Sequence, residues 1–544
     1  MHIRLPKWFI LSVLTFFLST GAKWSSDLFD YAKNLEIFAA IYEELGNSYV
    51  DEIQPGELSK KAIDAMLKSL DPYTVFFSEY QAEEAMIERQ GEYGGVGCRI
   101  VMRNQFPMIS ELFRGYAFDK AGVQLGDYIL KVGEIDLKNQ TPDELMQYFR
   151  GAPNSKFKIT LKRNNDTITK TIQRTLVETK SVSYSGYLSN PTFKNLGYIK
   201  LDEFGQGCAN EIRESIKKMQ AEGTLQGLIL DLRDNGGGLL DQAVDIVGAF
   251  VPQGTTVVTL KGAHAKGPKT WKTMNPPLAL NLPLVVLINN RSASASEVVS
   301  GSLQDLDRAV ILGQNSFGKG LVQNYAMLPY RTQMKLTTAR YYTPSGRCIQ
   351  RLQYQDRDEQ GNAKIQAKKS FKTSNGRLVF DAAGVDPDIE IPLFNGNNLI
   401  HWLNKNHLLF DWANNYFQKN NFNLNNLNET VLLESFKTYC LDEAPKVLKK
   451  SLSDQAKKLA TDSLWLNQLT LLNFQEQQMK DKINSSIKNH ASDYKIALVK
   501  ELLQRHPSES EQQSFWLSKD PEIKQCGDLL LNPIKITQIL SGKK

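Results

Sequence analysis

The sequence is poor in the side chains that usually announce metal or redox chemistry. Its 544 residues hold five cysteines, Cys98, Cys208, Cys348, Cys440 and Cys526, odd in number and far apart. Without a Cys-x-x-Cys pair, no thiol redox motif and no clustered zinc site is legible. The thiols read as scattered, chemically neutral side chains. Charge of one sign is lacking too. The balance of 65 basic against 59 acidic residues gives +6, too weak over this length to argue for nucleic acid. Apolar residues at 41% and charged residues at 23% exclude a disordered, collagen-like or polytopic membrane chain. The length suggests three or four domains at about 150 residues each.

Long apolar runs are absent as well. Arg4 and Lys7 precede an apolar stretch from Trp8 to Leu18, followed by Ser19-Thr20-Gly21-Ala22. That is the basic, apolar, small-residue order of a secretory signal peptide, and the stretch falls short of the about 20 residues that span a bilayer. The reading is an exported chain cut near Ala22, with the bacterial periplasm as its compartment. The alternative is an uncleaved, membrane-associated anchor, because Thr20-x-Ala22 is an imperfect cleavage site. No cysteine follows, so a lipoprotein anchor is disfavoured.

What is present divides the chain into regions 1–22, 23–92, 93–177, 178–394 and 395–544. In the second, Phe38, Ile41, Tyr42 and Leu45 recur at helical spacing, and a further helix is expected from Pro55 to Leu70, stopped by Asp71-Pro72. The third opens on Tyr93-Gly94-Gly95-Val96-Gly97. A strand over 126–132 follows, then a helix begun by the capping box Thr141-Pro142-Asp143-Glu144, then a hairpin around Asn164-Asn165. Gly94-Gly95-Val96-Gly97, Ala121-Gly122-Val123-x-x-Gly126-Asp127 and the hairpin resemble a PDZ domain of the bacterial type. That resemblance implies that a peptide adds as a strand and that backbone N–H groups of Gly94, Gly95, Val96 and Gly97 hold its terminal carboxylate. Any glycine-rich strand entry offers a plainer account. Arg103 to Gly115 lacks the usual short pattern of such domains.

The fourth region alternates apolar strands, at 197–201, 228–232 and 284–288, with amphipathic helices, the signature of an α/β core. Beyond Asp386-Pro387-Asp388 composition shifts: 13 of the 34 residues from Asn395 to Asn428 are asparagine, which reads as helix ends and linker. The leucine-rich remainder reads as helical, either a docking or oligomerisation module or a stabilising cap.

Two segments carry the chemistry, Asn290-Arg291-Ser292-Ala293-Ser294-Ala295-Ser296-Glu297 and Ser316-Phe317-Gly318-Lys319-Gly320-Leu321-Val322-Gln323. A serine where a strand turns into a helix is exposed beside the free N–H groups of the first turn; a serine-rich helix cap is the bland alternative. Of six histidines only His264 falls inside the α/β core, in a lysine-rich loop, so a Ser-His-Asp triad is poorly supplied. A Ser-Lys pair is the other route. Lysine ordinarily titrates near about 10.4 whereas a base works best near neutrality, a gap that burial can close; Lys319 lies between glycines with Phe317 and Leu321 beside them. Gly313-x-x-x-x-Gly318-Lys319 also matches a P-loop, but the magnesium-binding hydroxyl is replaced by Gly320 and a strand, not a helix, is expected next. That match is read as coincidence.

Together these segments resemble the carboxyl-terminal processing peptidases, also called tail-specific proteases. The resemblance runs from Leu35 to Pro392 through Leu70-Asp71-Pro72-Tyr73-Thr74, the PDZ-like stretch, Asp231-Leu232-Arg233-Asp234-Asn235-Gly236-Gly237-Gly238, the two chemical segments, Ala339 to Arg347 and Gly384-Val385-Asp386-Pro387-Asp388. It implies a multidomain α/β plus α+β protein: a ClpP/crotonase-like peptidase core, an inserted PDZ-like domain, an N-terminal helical unit and a helical C-terminal region. It implies Ser294 as nucleophile, Lys319 as base, Gln323 orienting the lysine, and an oxyanion hole from the N–H groups of Ala295 and Gly237. Asp305 is either an aid to the site or a surface carboxylate, and Ser292 and Ser296 are expected to cap the helix. Cys348 stands where the family commonly has a small polar residue. The function implied is a serine endopeptidase acting on unfolded or extended C-terminal tails, with no cofactor, metal, nucleotide or nucleic acid, and with self-association or an adaptor through the C-terminal region. The competing reading is a non-catalytic PDZ scaffold.

Overall fold

The computed structural model describes residues 7–79, 81–82, 92–140, 142–178, 180–263, 267–391, 398–420, 424, 427–459, 466–506 and 508–542. The chain forms two compact units, residues 1–78 with 325–336, and residues 79–324 with 337–544.

In the smaller unit a single helix, Lys7–Ser48, runs through the stretch expected to contain both a cleavage site and a separate helix. The helix Pro55–Lys68 starts on proline, whose missing N–H costs nothing in the first turn. Asp71 then turns the chain by accepting the N–H groups of Tyr73 and Thr74, both at 2.8 Å. The strand Val75–Phe77 pairs antiparallel with 333–335. Among the described residues no helix is long and apolar enough to cross a membrane.

The larger unit holds the α/β core. Strands Val182–Tyr187, Leu196–Leu201, Gly227–Asp231, Leu284–Ile288, Val310–Gly313 and Ile389–Glu390 lie side by side in that order, all parallel except the first. Gly227–Asp231 and Leu284–Ile288 are buried at every position, as parallel strands covered on both faces must be. One face is covered by the helices Cys208–Glu222, Leu240–Val247 and Ala295–Asp305 through Ile212, Ile216, Val244, Val247 and Val299. The other is covered from the far end of the chain. Ile523, Cys526, Leu529 and Leu530 of the helix Pro521–Leu530, with Ile536 of Pro533–Ser541, pack on Tyr198, Ile229, Val285, Leu287 and Val310. The region beyond 395 is therefore not one separate body, because its last helices complete the core of the sheet.

Its earlier helices form their own core around Leu403, Trp412, Phe436, Ile483 and Tyr494. Here the asparagine-rich linker reading is corrected: Asn398–Lys405 and Leu408–Lys419 are helices. Their apolar residues Leu403, Leu408, Leu409 and Trp412 are buried, and that burial outweighs the low helix propensity of asparagine.

Residues 98–173 form a second sheet, in the order Cys98–Arg103, Phe106–Leu112, Tyr128–Val132, Lys156–Arg163, Asp166–Gln173, with the short helices Ala117–Lys120 and Pro142–Phe149. The hairpin at Asn164, φ 54°, forms where expected. The segment from Arg103 to Gly115 resolves into a hairpin turned by Asn104 and Gln105, both with positive φ. Cys98–Arg103 lies at the edge of this sheet among the described residues. Arg103, at the end of that strand, pairs with Asp411 of the C-terminal helices at 2.6 and 2.5 Å.

Candidate active site

Ser294 lies between the strand Leu284–Ile288 and the helix Ala295–Asp305, with φ 56° and ψ −112°. Such angles cost a non-glycine residue about 1–3 kcal/mol and persist only where the surroundings fix them. The surroundings do so here. The Ser294 N–H donates to Glu297 Oε2 at 2.8 Å, and the helix it opens is buried along its whole length.

Lys319 arrives from the next crossover, between Val310–Gly313 and the strand Leu321–Met327. Its N–H donates to the same Glu297 Oε2 at 2.9 Å. Gly318 N–H donates to Oε1 at 2.7 Å and the Ser316 hydroxyl joins it. Glu297 is fully buried, and burial pushes its carboxyl above the ordinary range while these four donors oppose the shift. Every partner is a donor, an arrangement that suits a carboxylate and not a carboxylic acid. In the sequence Glu297 closes the serine motif with no role of its own. Its position three residues into a helix after Ser294, the capping-box spacing, was the available signal.

Gln323 sits on the strand Leu321–Met327, and its Nε2 donates to Thr337 Oγ1 at 3.2 Å. A strand follows Lys319, where a P-loop would need a helix.

Gly237 lies against Ser294. A Cβ there would come within 2.8 Å of both Ala293 O and Ser294 Cβ, and its φ is +105°, so glycine is required on two counts. Its N–H, expected to be a free oxyanion donor, instead donates to Asn235 Oδ1 at 2.9 Å. Ala295 is the first residue of its helix, where an N–H has no intrahelical acceptor.

Ser292 and Ser296 do not cap the helix. Ser292 Oγ donates to Leu232 O at 2.7 Å and Ser296 Oγ to Asn235 O at 2.9 Å, bracing the serine loop against the glycine loop. Asp305 is not a surface carboxylate. It is buried and pairs with buried Arg347 at 2.8 Å. His264 lies outside the described residues.

The glycine loop is anchored below by Arg233. Its guanidinium holds Asp231 on one side and Glu522 and Asp520 on the other, at 2.6 and 2.8 Å for the latter two. Burial by itself would raise the Asp231 carboxyl, but Arg233 and Lys200 hold it well below the usual carboxylate range. Asp520 and Glu522 come from the C-terminal region and were invisible to sequence reading.

The Gly94 to Gly97 loop is half strand. Glu92–Gly95 pairs with Thr175–Glu178, and Gly94 O accepts Gly151 N–H at 3.0 Å. A Cβ on Gly94 would lie 1.9 Å from Gly151 O, so backbone packing alone requires a glycine there. Only Val96 and Gly97, φ +72°, turn the chain into the edge strand.

The profile of peptidase family S41 matches residues 195–356, which contain both chemical segments. A carboxy-terminal-processing protease of Bartonella bacilliformis is 34% identical over 323 residues, 58% of this chain and 73% of that protein. The chain belongs to the carboxy-terminal-processing proteases of peptidase family S41. A probable CtpA-like serine protease of Staphylococcus aureus is 31% identical over 319 residues, covering 58% of this chain and 62% of that protein. A solved photosystem II D1 C-terminal processing protease is 24% identical over 65% of this chain and 92% of its own, with a TM-score of 0.36. Serine-type carboxy-terminal processing is thus the activity of the family to which this site belongs.

Proposed function

We propose that this protein is a serine endopeptidase that cuts protein substrates near their C-terminal tails through a Ser294–Lys319 dyad. The observation that carries the reading is the single carboxylate oxygen of Glu297 that accepts the N–H groups of both residues. It brings a strained, half-buried serine at a helix start together with the only lysine of its segment.

The Oγ of Ser294 attacks the scissile carbonyl carbon while the neutral amine of Lys319 takes its proton. Negative charge develops on the carbonyl oxygen and is met by the Ala295 N–H, a preorganised donor. The Gly237 N–H joins by exchanging Asn235 Oδ1 for the oxyanion. Collapse of the tetrahedral intermediate breaks the C–N bond, and the Lys319 ammonium gives its proton to the leaving amine. Water then attacks the acyl-Ser294 ester, Lys319 again takes a proton, and the acid leaves as Ser294 regains it. Gln323 has its Nε2 committed to Thr337; its Oε1 is the atom able to orient an ammonium.

Residues 93–177 act as a PDZ-like reader. A substrate tail adds to the open edge of Cys98–Arg103, with its carboxylate at the Val96–Gly97 turn. Residues 178–394 carry the peptidase core, in the ClpP/crotonase-like arrangement. The chain is exported to the periplasm, with residues 1–22 as its signal peptide. N-terminal sequencing of the mature protein tests that last point.

The decisive experiment is cleavage of an unfolded reporter by wild type, Ser294→Ala and Lys319→Ala. Each substitution is expected to remove nearly all activity, because the two residues act as one proton-transfer unit. Activity near wild type in either folded variant overturns the dyad.

A further inference from the structure

We propose that Tyr341 is a positioning residue for this reaction, its hydroxyl fixing the peptide group that carries the oxyanion donor and tying it to the segment of the base. The inference rests on the Ser294–Lys319 reading above.

Tyr341 is 1% exposed and reaches the site from the strand Gln333–Tyr342. Its hydroxyl oxygen lies 3.1 Å from Ser294 O and 2.6 Å from Lys319 O. Carbonyl oxygens only accept, so the phenol must be the donor and shares its proton between them. The Tyr341 N–H donates to Gly320 O at 3.1 Å, which holds the strand itself against the lysine segment. Glu297 and Tyr341 therefore grip the same two residues from opposite ends. The carboxylate takes both N–H groups, and the hydroxyl holds both carbonyls.

Peptide planarity gives this grip a chemical consequence. In a trans peptide the C=O and the following N–H point in opposite directions. Holding Ser294 O on the Tyr341 side therefore aims the Ala295 N–H away from it. Ser294, at φ 56° and ψ −112°, is outside the regular basins, and its carbonyl is held there by three donors: the N–H groups of Glu297 and Val298, both at 2.9 Å, and the Tyr341 hydroxyl, which alone ties it to the Lys319 segment. A donor aimed at the oxyanion acts on the transition state and hardly at all on the bound substrate. Loss of the hydroxyl should consequently appear in kcat and not in KM.

The test is Tyr341→Phe, which keeps the buried ring and removes one oxygen. Deleting an oxyanion donor outright costs about 10²–10³-fold, so misaiming one should lower kcat about 10–100-fold, with KM changed by less than about twofold. Affinity for a peptidyl boronic acid, which presents a tetrahedral anion on Ser294, should fall in step with kcat, whereas affinity for an uncleaved substrate peptide should hold. Wild-type kcat, or a loss confined to KM, overturns the proposal. If Tyr341→Phe fails to fold, Tyr341→4-aminophenylalanine decides, because it returns an N–H donor to the same place. Recovery of activity supports the role, and a folded but inactive variant overturns it. Inactive Ser294→Ala and Lys319→Ala beside a fully active Tyr341→Phe would remove this inference alone. Active dyad variants would remove the dyad reading first.

Discussion

Glu297 Oε2 accepts the backbone N–H of Ser294 and the backbone N–H of Lys319, at 2.8 and 2.9 Å. Two residues from successive crossovers of a parallel sheet thus share one acceptor atom. In the proposed dyad, one buried carboxylate therefore holds the backbone of both partners.

Glu297→Gln should be severely impaired. The amide keeps one acceptor but turns an NH₂ towards donors, leaving at least one buried N–H unpaired at a cost of about 1–3 kcal/mol. Reporter cleavage is expected to fall at least 100-fold, with a lowered unfolding midpoint in urea. A variant with wild-type stability and rate would show that the shared oxygen is incidental. Because burial raises the Glu297 carboxyl, acid inactivation of the wild type should begin above the ordinary glutamate range near about 4.3.

Arg233→Gln should give a pH-dependent stability defect. The Asp231 carboxyl is held low in the folded protein. Its contribution to stability is present above the unfolded value near about 3.9 and is lost as pH falls through the folded one. Removing Arg233 strands Asp231, Asp520 and Glu522 together, at a cost of about 3–5 kcal/mol at neutral pH. Protonation relieves that cost, so the gap between wild type and variant should narrow from pH 7 to pH 4 in urea titrations. A constant gap would mean that the guanidinium acts through packing alone.

Tail reading is tested with one reporter ending in Leu-Ala-Ala, in Asp-Asp-Asp or in a C-terminal amide. If the turn at Val96 and Gly97 holds a free carboxylate beside an apolar subsite, the first is cut fastest and the amide slowest. Equal rates for all three would leave residues 93–177 as a structural lid.

The sequence by itself determined the core strands and picked out the two candidate segments. Uninterrupted apolar strands such as Leu284–Ile288 can be stable only between two covered faces, and the Ser294 and Lys319 segments stood out by residue type, glycine content and family resemblance. It could not say what holds them together, because hydrogen bonding to a shared partner leaves no periodic trace. Tyr341 reaches Ser294 O from 47 residues away, and Glu522 meets Arg233 across 289 residues. For the same reason the surface alternative for Asp305 and the linker reading of 398–419 do not hold. A carboxylate reads as exposed until its arginine is found, and an asparagine-rich stretch reads as linker until the apolar residues between the asparagines have a core to enter. Only the tertiary structure decided that the last helices of the chain close the far face of the catalytic sheet. Their apolar residues suit any core, and which core they enter depends on where the chain has already placed an uncovered sheet.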